Sequence, residues 1–168
     1  MVFDPKRGTN LEQMLVNTKL KEIMSSPVVT IHEDEEFSKV EELFTQHGIY
    51  YLPVVDSEKK VVGLISQKYL YKMHSPRKIV SEQMEYRPDI IIDGDAFYDK
   101  ETLDSYILRN IMLKDPLVLK GDESVKLAIS HMVKRHLGCI PIVDGEQSII
   151  GMVINEDIIR LIGRLLRI

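Results

Sequence analysis

The sequence predicts an α+β protein made of two pseudo-symmetric copies of one unit, strand-helix-strand-strand-helix, packed sheet to sheet. Two observations carry that prediction. Leu52-Pro53-Val54-Val55-Asp56 followed by Val61-Val62-Gly63-Leu64-Ile65 returns 88 residues later as Ile140-Pro141-Ile142-Val143-Asp144 followed by Ile149-Ile150-Gly151-Met152-Val153. At the same offset Ile23-Met24 fall on Ile111-Met112, Asp34 falls on Asp122, and Phe37, Val40 and Phe44 fall on Val125, Ala128 and Met132. A register this long marks an internal duplication. A solenoid needs at least about three repeats to bury its faces, so two copies that complete each other's core fit better.

Each element follows from local pattern. Val28-Val29-Thr30-Ile31 is β-branched and follows Pro27, which predicts a short entry strand. Asp34 is the expected N-cap of the next helix, with Glu35 and Glu36 where the helix N-terminus favours negative charge. Phe37, Val40, Leu43, Phe44 and His47 recur at helical spacing. In the second copy Asp122 is the expected cap and Val125, Ala128, Ile129, Met132 and Val133 form the stripe. Gly48 is placed to end the first helix in the left-handed conformation. Tyr51 to Val55 and Val61 to Ile65 then read as a hairpin around the polar turn Asp56 to Lys60. A last helix is expected over Gln67 to Lys72 in the first copy and Glu156 to about Leu166 in the second. The resulting division is an N-terminal arm 1–17, a first repeat 18–72, an insert 73–106 and a second repeat with C-terminal helix 107–168.

The insert is long for a structureless loop in a compact domain. Its piece Met84 to Asp95 echoes the second entry, Met112 to Asp122; it reads either as an added strand, with no hairpin following it, or as a coincidence of sequence, and coincidence is the simpler reading. Asp93, Asp95 and Asp99 lack the glycine and distal glutamate of a calcium loop at the required spacing, so they read as loop and cap acids. Lys100 to Met112 reads as a helix leading into the second repeat.

Bulk properties exclude several classes. A formal charge of −4 argues against a surface built for nucleic-acid phosphates, and Lys134-Arg135 and Arg160, Arg164 and Arg167 read as solvated helix faces. The single cysteine, Cys139, excludes an intramolecular disulfide and a zinc site of several thiolates, and lies in a core strand by pattern. The N-terminus lacks the apolar stretch of a signal peptide, and no apolar run approaches the ~18 residues of a membrane span, so a cytoplasmic protein without membrane contact is expected. His32, His47, His74, His131 and His136 show no metal-ligand spacing, and no nucleophile elbow or phosphate loop is present. Neither catalysis nor a metal site is predicted.

The entry segments Glu22-Ile23-Met24 and Asn110-Ile111-Met112, the nearby Pro27 and Pro116, the Pro-Val-Val-Asp and Pro-Ile-Val-Asp strands and the glycine-containing third strands resemble a tandem pair of CBS (cystathionine-β-synthase-type) domains, a stand-alone Bateman module, over about residues 18–72 and 107–163. The resemblance implies a regulatory or sensor module rather than an enzyme. It implies no required cofactor, but a regulatory adenosine ligand of the AMP, ATP, S-adenosylmethionine or NAD type in an inter-repeat cleft, and control of a separate effector protein. A ligand-free dimerisation and interaction module is the alternative. Pairs of this kind commonly dimerise through their helices. The apolar surplus of Ile158 to Ile168 fits a homodimer.

The family's ligand motif, Gly-x-x-Ser/Thr-x-x-Asp, is divided between the copies. Gly63 to Tyr69 keeps the hydroxyl as Ser66 and has Tyr69 at the acid position, whereas Gly151 to Asp157 keeps the acid as Asp157 and has Ile154 at the hydroxyl position. By the family's pairing Asp157 works with Ser25, which follows Met24, and Ser66 and Tyr69 face Leu113, which follows Met112. The resemblance therefore implies one competent adenosyl site lined by Ser25, Val28, Val29, Cys139, Ile140, Asn155 and Asp157, and one degraded cleft at Ser66, Tyr69 and Leu113. Asp157 reads equally well as a first-turn acid capping the final helix, and both readings stand at this stage. Tyr50-Tyr51 and Gly138-Cys139 occupy places where nucleotide-binding members often carry cations, which favours a neutral or cationic adenosyl group; Lys68, Lys134, Arg135 and His136 are the nearest substitutes in sequence.

Overall fold

The computed structural model describes residues 8–67, 90–93, 96–99 and 107–167, the side chains of 8–10, 90–93 and 96–99 excepted. The elements are α1 (Gly8–Asn17), β1 (Ile31–His32), α2 (Ser38–His47), β2 (Tyr51–Val55), β3 (Val61–Ser66), β4 (Ile90–Asp93), β5 (Ala96–Asp99), β6 (Leu113–Lys114), β7 (Leu119–Lys120), α3 (Val125–Arg135), β8 (Cys139–Val143), β9 (Ile149–Ile154) and α4 (Asn155–Leu166). Single 3-10 turns at Leu20–Glu22 and Leu108–Asn110 precede the two entry methionines.

Two compact units emerge, and the division cuts across the sequence repeats. One unit joins the chain up to Val28 with Glu58–Val61 and Pro116–Ile168; the other joins Val29–Ser57 with Val62–Asp115. Each repeat's entry segment is thus counted in the unit that holds the other repeat's strands. Leu20 and Ile23 pack with Leu119, Val125, Ala128, Met132, Ile140, Ile142, Val153 and Leu161. Leu108 packs with Ile31, Phe37, Val40, Phe44, Leu52, Val54 and Ile65. Both entry leucines, Leu20 and Leu108, are fully buried, and an apolar chain of that size contributes ~1.5–3 kcal/mol on leaving water.

In the unit that holds β2, the sheet order is β1-β2-β3-β6. β1 runs parallel to β2, Ile31 facing Val54, and β6 runs antiparallel to β3, with Leu113 opposite Leu64. Gly48, at φ 60, closes α2 in the left-handed conformation that glycine adopts without Cβ strain. In the unit that holds β8, the order is β7-β8-β9, with β7 parallel to β8 and β8 antiparallel to β9. There α1 packs on α3, Leu15 reaches the core cluster and Glu12 pairs with Lys126. An amphipathic helix in the N-terminal arm was not part of the sequence expectation.

Several local expectations are corrected. The acids Asp34 and Asp122 do not cap. α2 starts at Ser38 with Phe37 at its N-cap and no side-chain cap, and Asp34 instead pairs with Arg109 and lies 3.7 Å from His32 Nδ1. Ser124 caps α3, its Oγ accepting from Leu127 N at 3.3 Å, because the side chain adjoining the first turn reaches an orphan amide and one two residues earlier does not. The entry strand shrinks from Val28–Ile31 to Ile31–His32. Within the insert two strands pair: β4 and β5 run antiparallel from Ile90 with Asp99 to Asp93 with Ala96. Of the helix expected over Lys100 to Met112, residues 100–106 lie outside the described residues, and the described part makes the 3-10 turn Leu108–Asn110. The expected helix over Gln67 to Lys72 lies, past Gln67, outside the described residues.

Candidate functional site

The site is built where β9 passes into α4. The entry chain docks on this strand because position 151 has no side chain. A Cβ on Gly151 would stand 2.8 Å from Met24 Cγ and closer still to the sulfur, so glycine leaves the space that Met24 fills. Gly63 does the same for Met112 in the other unit. With Met24 seated, Ser25 pairs with Met152 in both directions, Ser25 N donating to Met152 O at 2.9 Å and Met152 N to Ser25 O at 3.1 Å. Ser26 Oγ adds a bond to Ile150 O at 2.9 Å.

This docking sets Ser25 Oγ 3.3 Å from Asp157 Oδ1, with Ser25 donating. Asp157 lies in the first turn of α4, and its Oδ2 accepts from Ile154 N at 2.9 Å. Arg160 Nη1 donates to Oδ1 from 3.2 Å. The carboxylate thus caps the helix and meets Ser25 at once. Its exposure is 1%, and it is the buried charged side chain among the described residues. Carboxylates are rarely buried to this degree unless paired, and here three donors converge on it.

The other expected lining residues are distributed as follows. Asn155 is exposed at the start of α4 and its N donates to Gly138 O at 3.2 Å. Cys139 faces Ile154 and Ile140 faces Val153 across β8 and β9. Val28 is half-buried at the boundary of this unit, whereas Val29 packs on the core of the other. In that other unit Leu113 stands opposite Leu64 as Ser25 stands opposite Met152, and Gln67 N donates to Tyr50 O at 2.8 Å as Asn155 N does to Gly138 O. Leu113 is exposed, Ser66 ends β3, and Tyr69 lies outside the described residues. Arg160 was missed by the sequence reading, although an acid and an arginine three apart on a helix are neighbours.

Cys139 is chemically quiet. Burial pushes its thiol up to about 12, so the thiolate that nucleophilic chemistry needs does not form near neutrality. The unfolded chain releases this proton near 9 while the folded chain keeps it to about 12, so the folded state loses stability as pH rises through that window. Urea unfolding at pH 8, 9.5 and 11 is expected to show this decline, and Cys139→Ala to flatten part of it; an equal slope in both proteins would contradict it. Among the described residues no group of three or more histidines, cysteines and acids is arranged to hold a metal, and no helix is long and apolar enough to cross a membrane.

A model of the CBS domain matches residues 20–74 and again residues 108–164. The chain belongs to the CBS-domain family, as a tandem pair. The pair is 28% identical over 166 residues to the uncharacterized protein MJ1426 of Methanocaldococcus jannaschii, covering 92% of this chain and 94% of that one. It is 26% identical to the L-aspartate semialdehyde sulfurtransferase of the same organism, covering 87% of this chain and 23% of that enzyme. The CBS pair thus spans about a quarter of the length of the named enzymes it matches. Among solved structures it is similar to the CBS domain pair of protein MJ0100 in complex with 5′-methylthioadenosine and S-adenosyl-L-methionine, at 25% identity and TM-score 0.65, covering 87% of this chain and 100% of that one.

Proposed function

We propose that this CBS pair is a cytoplasmic regulatory module that binds an adenosine-containing ligand through Asp157 and passes the binding state to an effector protein. The observation that carries the proposal is a buried, paired carboxylate held opposite Ser25 at the end of a β-strand. A carboxylate only accepts, and its two oxygens offer about four acceptor positions, which suits the two adjacent hydroxyls of a ribose. Amides at the start of α4 add donors nearby. The MJ0100 pair, whose structure contains 5′-methylthioadenosine and S-adenosylmethionine, supports adenosyl thioethers and sulfoniums as first candidates, in line with Gly138-Cys139 standing where a cation would serve a phosphate. Isothermal titration with 5′-methylthioadenosine, S-adenosylmethionine, AMP, ATP and NAD tests this; no heat from any of them at millimolar concentration would sink it.

The reading includes a homodimer. On α4, Leu161 and Ile158 face the core while Ile159 and Leu166 are exposed. A single-faced surface helix does not need apolar residues on its outer side, and a second copy is the occupant that symmetric pairing favours. Light scattering is expected to give twice the monomer mass, and Ile159→Glu with Leu166→Glu to return it to one; a monomer from the unsubstituted protein would contradict the dimer.

A further inference from the structure

We propose that Arg160 is a resident counter-ion of Asp157 that the ligand's ribose has to displace, and that it thereby sets both the affinity and the charge preference of the site. The inference rests on the ribose reading of Asp157. Its basis is the way the carboxylate is already occupied. Oδ2 accepts one bond, from Ile154 N, while Oδ1 accepts two, from Ser25 Oγ and Arg160 Nη1. A diol that donates one hydroxyl to each oxygen finds room on Oδ2 and none on Oδ1. One occupant must leave.

The two occupants of Oδ1 differ in what they can do next. Ser25 is pinned by its paired backbone bonds to Met152, yet its hydroxyl donates and accepts, so it can turn and become a partner of the incoming hydroxyl. The guanidinium of Arg160 only donates, as does a ribose hydroxyl toward a carboxylate, so the two compete for the same lone pair. Arg160 is also the member that water can take back: its side chain is 64% exposed while Asp157 is 1% exposed. Held by a single bond at 3.2 Å to an atom three residues away on the same helix, it can leave without disturbing β9 or the entry turn.

Paired with Asp157, Arg160 offsets the charge of a buried carboxylate. In the occupied protein it becomes a free cation within a few ångströms of the ligand, closer than the screening length of about 8 Å in physiological salt. A sulfonium is then repelled and a phosphate is attracted, relative to a neutral thioether. The site consequently favours 5′-methylthioadenosine over S-adenosylmethionine by more than the contacts of the adenosine would suggest.

The test is titration of 5′-methylthioadenosine, S-adenosylmethionine and AMP into the unsubstituted protein, Arg160→Gln and Asp157→Ala. Arg160→Gln is expected to bind 5′-methylthioadenosine up to about fivefold more tightly, the worth of a partly exposed ion pair, with a larger gain for S-adenosylmethionine and a smaller one for AMP. Binding that Asp157→Ala removes but Arg160→Gln leaves unchanged or weakens, with no change in the order of the three ligands, overturns the counter-ion role and leaves the ribose site standing. No binding to any of the three proteins overturns the ribose reading, and the counter-ion role with it.

Discussion

Leu20→Ala is expected to cost about 2–5 kcal/mol of folding stability, the range for removing a fully buried leucine from a packed core. Leu20 has no exposed surface and packs with Val125, Ile140 and Val153. Domains of this kind have about 5–15 kcal/mol in total, so a loss of that size lowers the urea midpoint steeply. Leu108→Ala is expected to do the same through its own cluster with Phe37 and Leu52. Val133, 69% exposed on α3, supplies the contrast, because Val133→Ala should change stability by about 0.5 kcal/mol or less. The pattern of coupling is the sharper result: Leu20→Ala and Val125→Ala should be non-additive, and Leu20→Ala and Phe37→Ala additive. A Leu20→Ala midpoint equal to that of Val133→Ala would mean that the entry segment is not seated where the structure has it.

How much of this was readable beforehand depends on whether a residue acts through its own periodicity or through a distant neighbour. The strands around Pro53 and Pro141 and the stripes Phe37, Val40, Phe44 and Val125, Ala128, Met132 were legible, because burial imposes a period and the duplication states it twice. The seating of the entry leucines was not. Leu20 and Leu108 are apolar in either arrangement, and nothing local says which core receives them. The pairing of β4 with β5 was missed because the first of these strands reads as an echo of the second repeat's entry. The cap of α3 was assigned to the matching acid when a serine two residues on was better placed.

At the site the same distinction holds. Ser25 and Asp157 are 132 residues apart, and only the family resemblance suggested that they meet; their hydrogen bond is a property of the folded chain. Gly151 was visible as a repeated glycine, but its reason, the room taken by Met24, needs the third dimension. Arg160 was read with Arg164 and Arg167 as one solvated face. Its spacing from Asp157 distinguishes it, since three residues along a helix bring its guanidinium to Oδ1 while the other two lie further along.

Asp157→Ala carries the largest expected effect on binding. The substitution removes the buried carboxylate of the motif, so two ribose hydroxyls lose charge-assisted bonds worth about 1.5–3 kcal/mol each, which corresponds to a loss of at least a hundredfold in affinity. It also strips partners from Ile154 N, Ser25 Oγ and Arg160, and the folded state should lose about 1–3 kcal/mol for the amide left unpaired. Asp157→Asn separates the two consequences. The amide side chain keeps one oxygen able to accept from Ile154 N and so retains most of the stability, but it loses the charge and half of the acceptor capacity that a diol requires.

The measurement that tests the account most directly is isothermal titration of 5′-methylthioadenosine into the unsubstituted protein and into Asp157→Asn, with urea unfolding of both as the check on folding. The account predicts one saturable site per chain in the first, and binding at least tenfold weaker in a folded Asp157→Asn. Equal affinity in the two folded proteins, or no binding to the first, would contradict it.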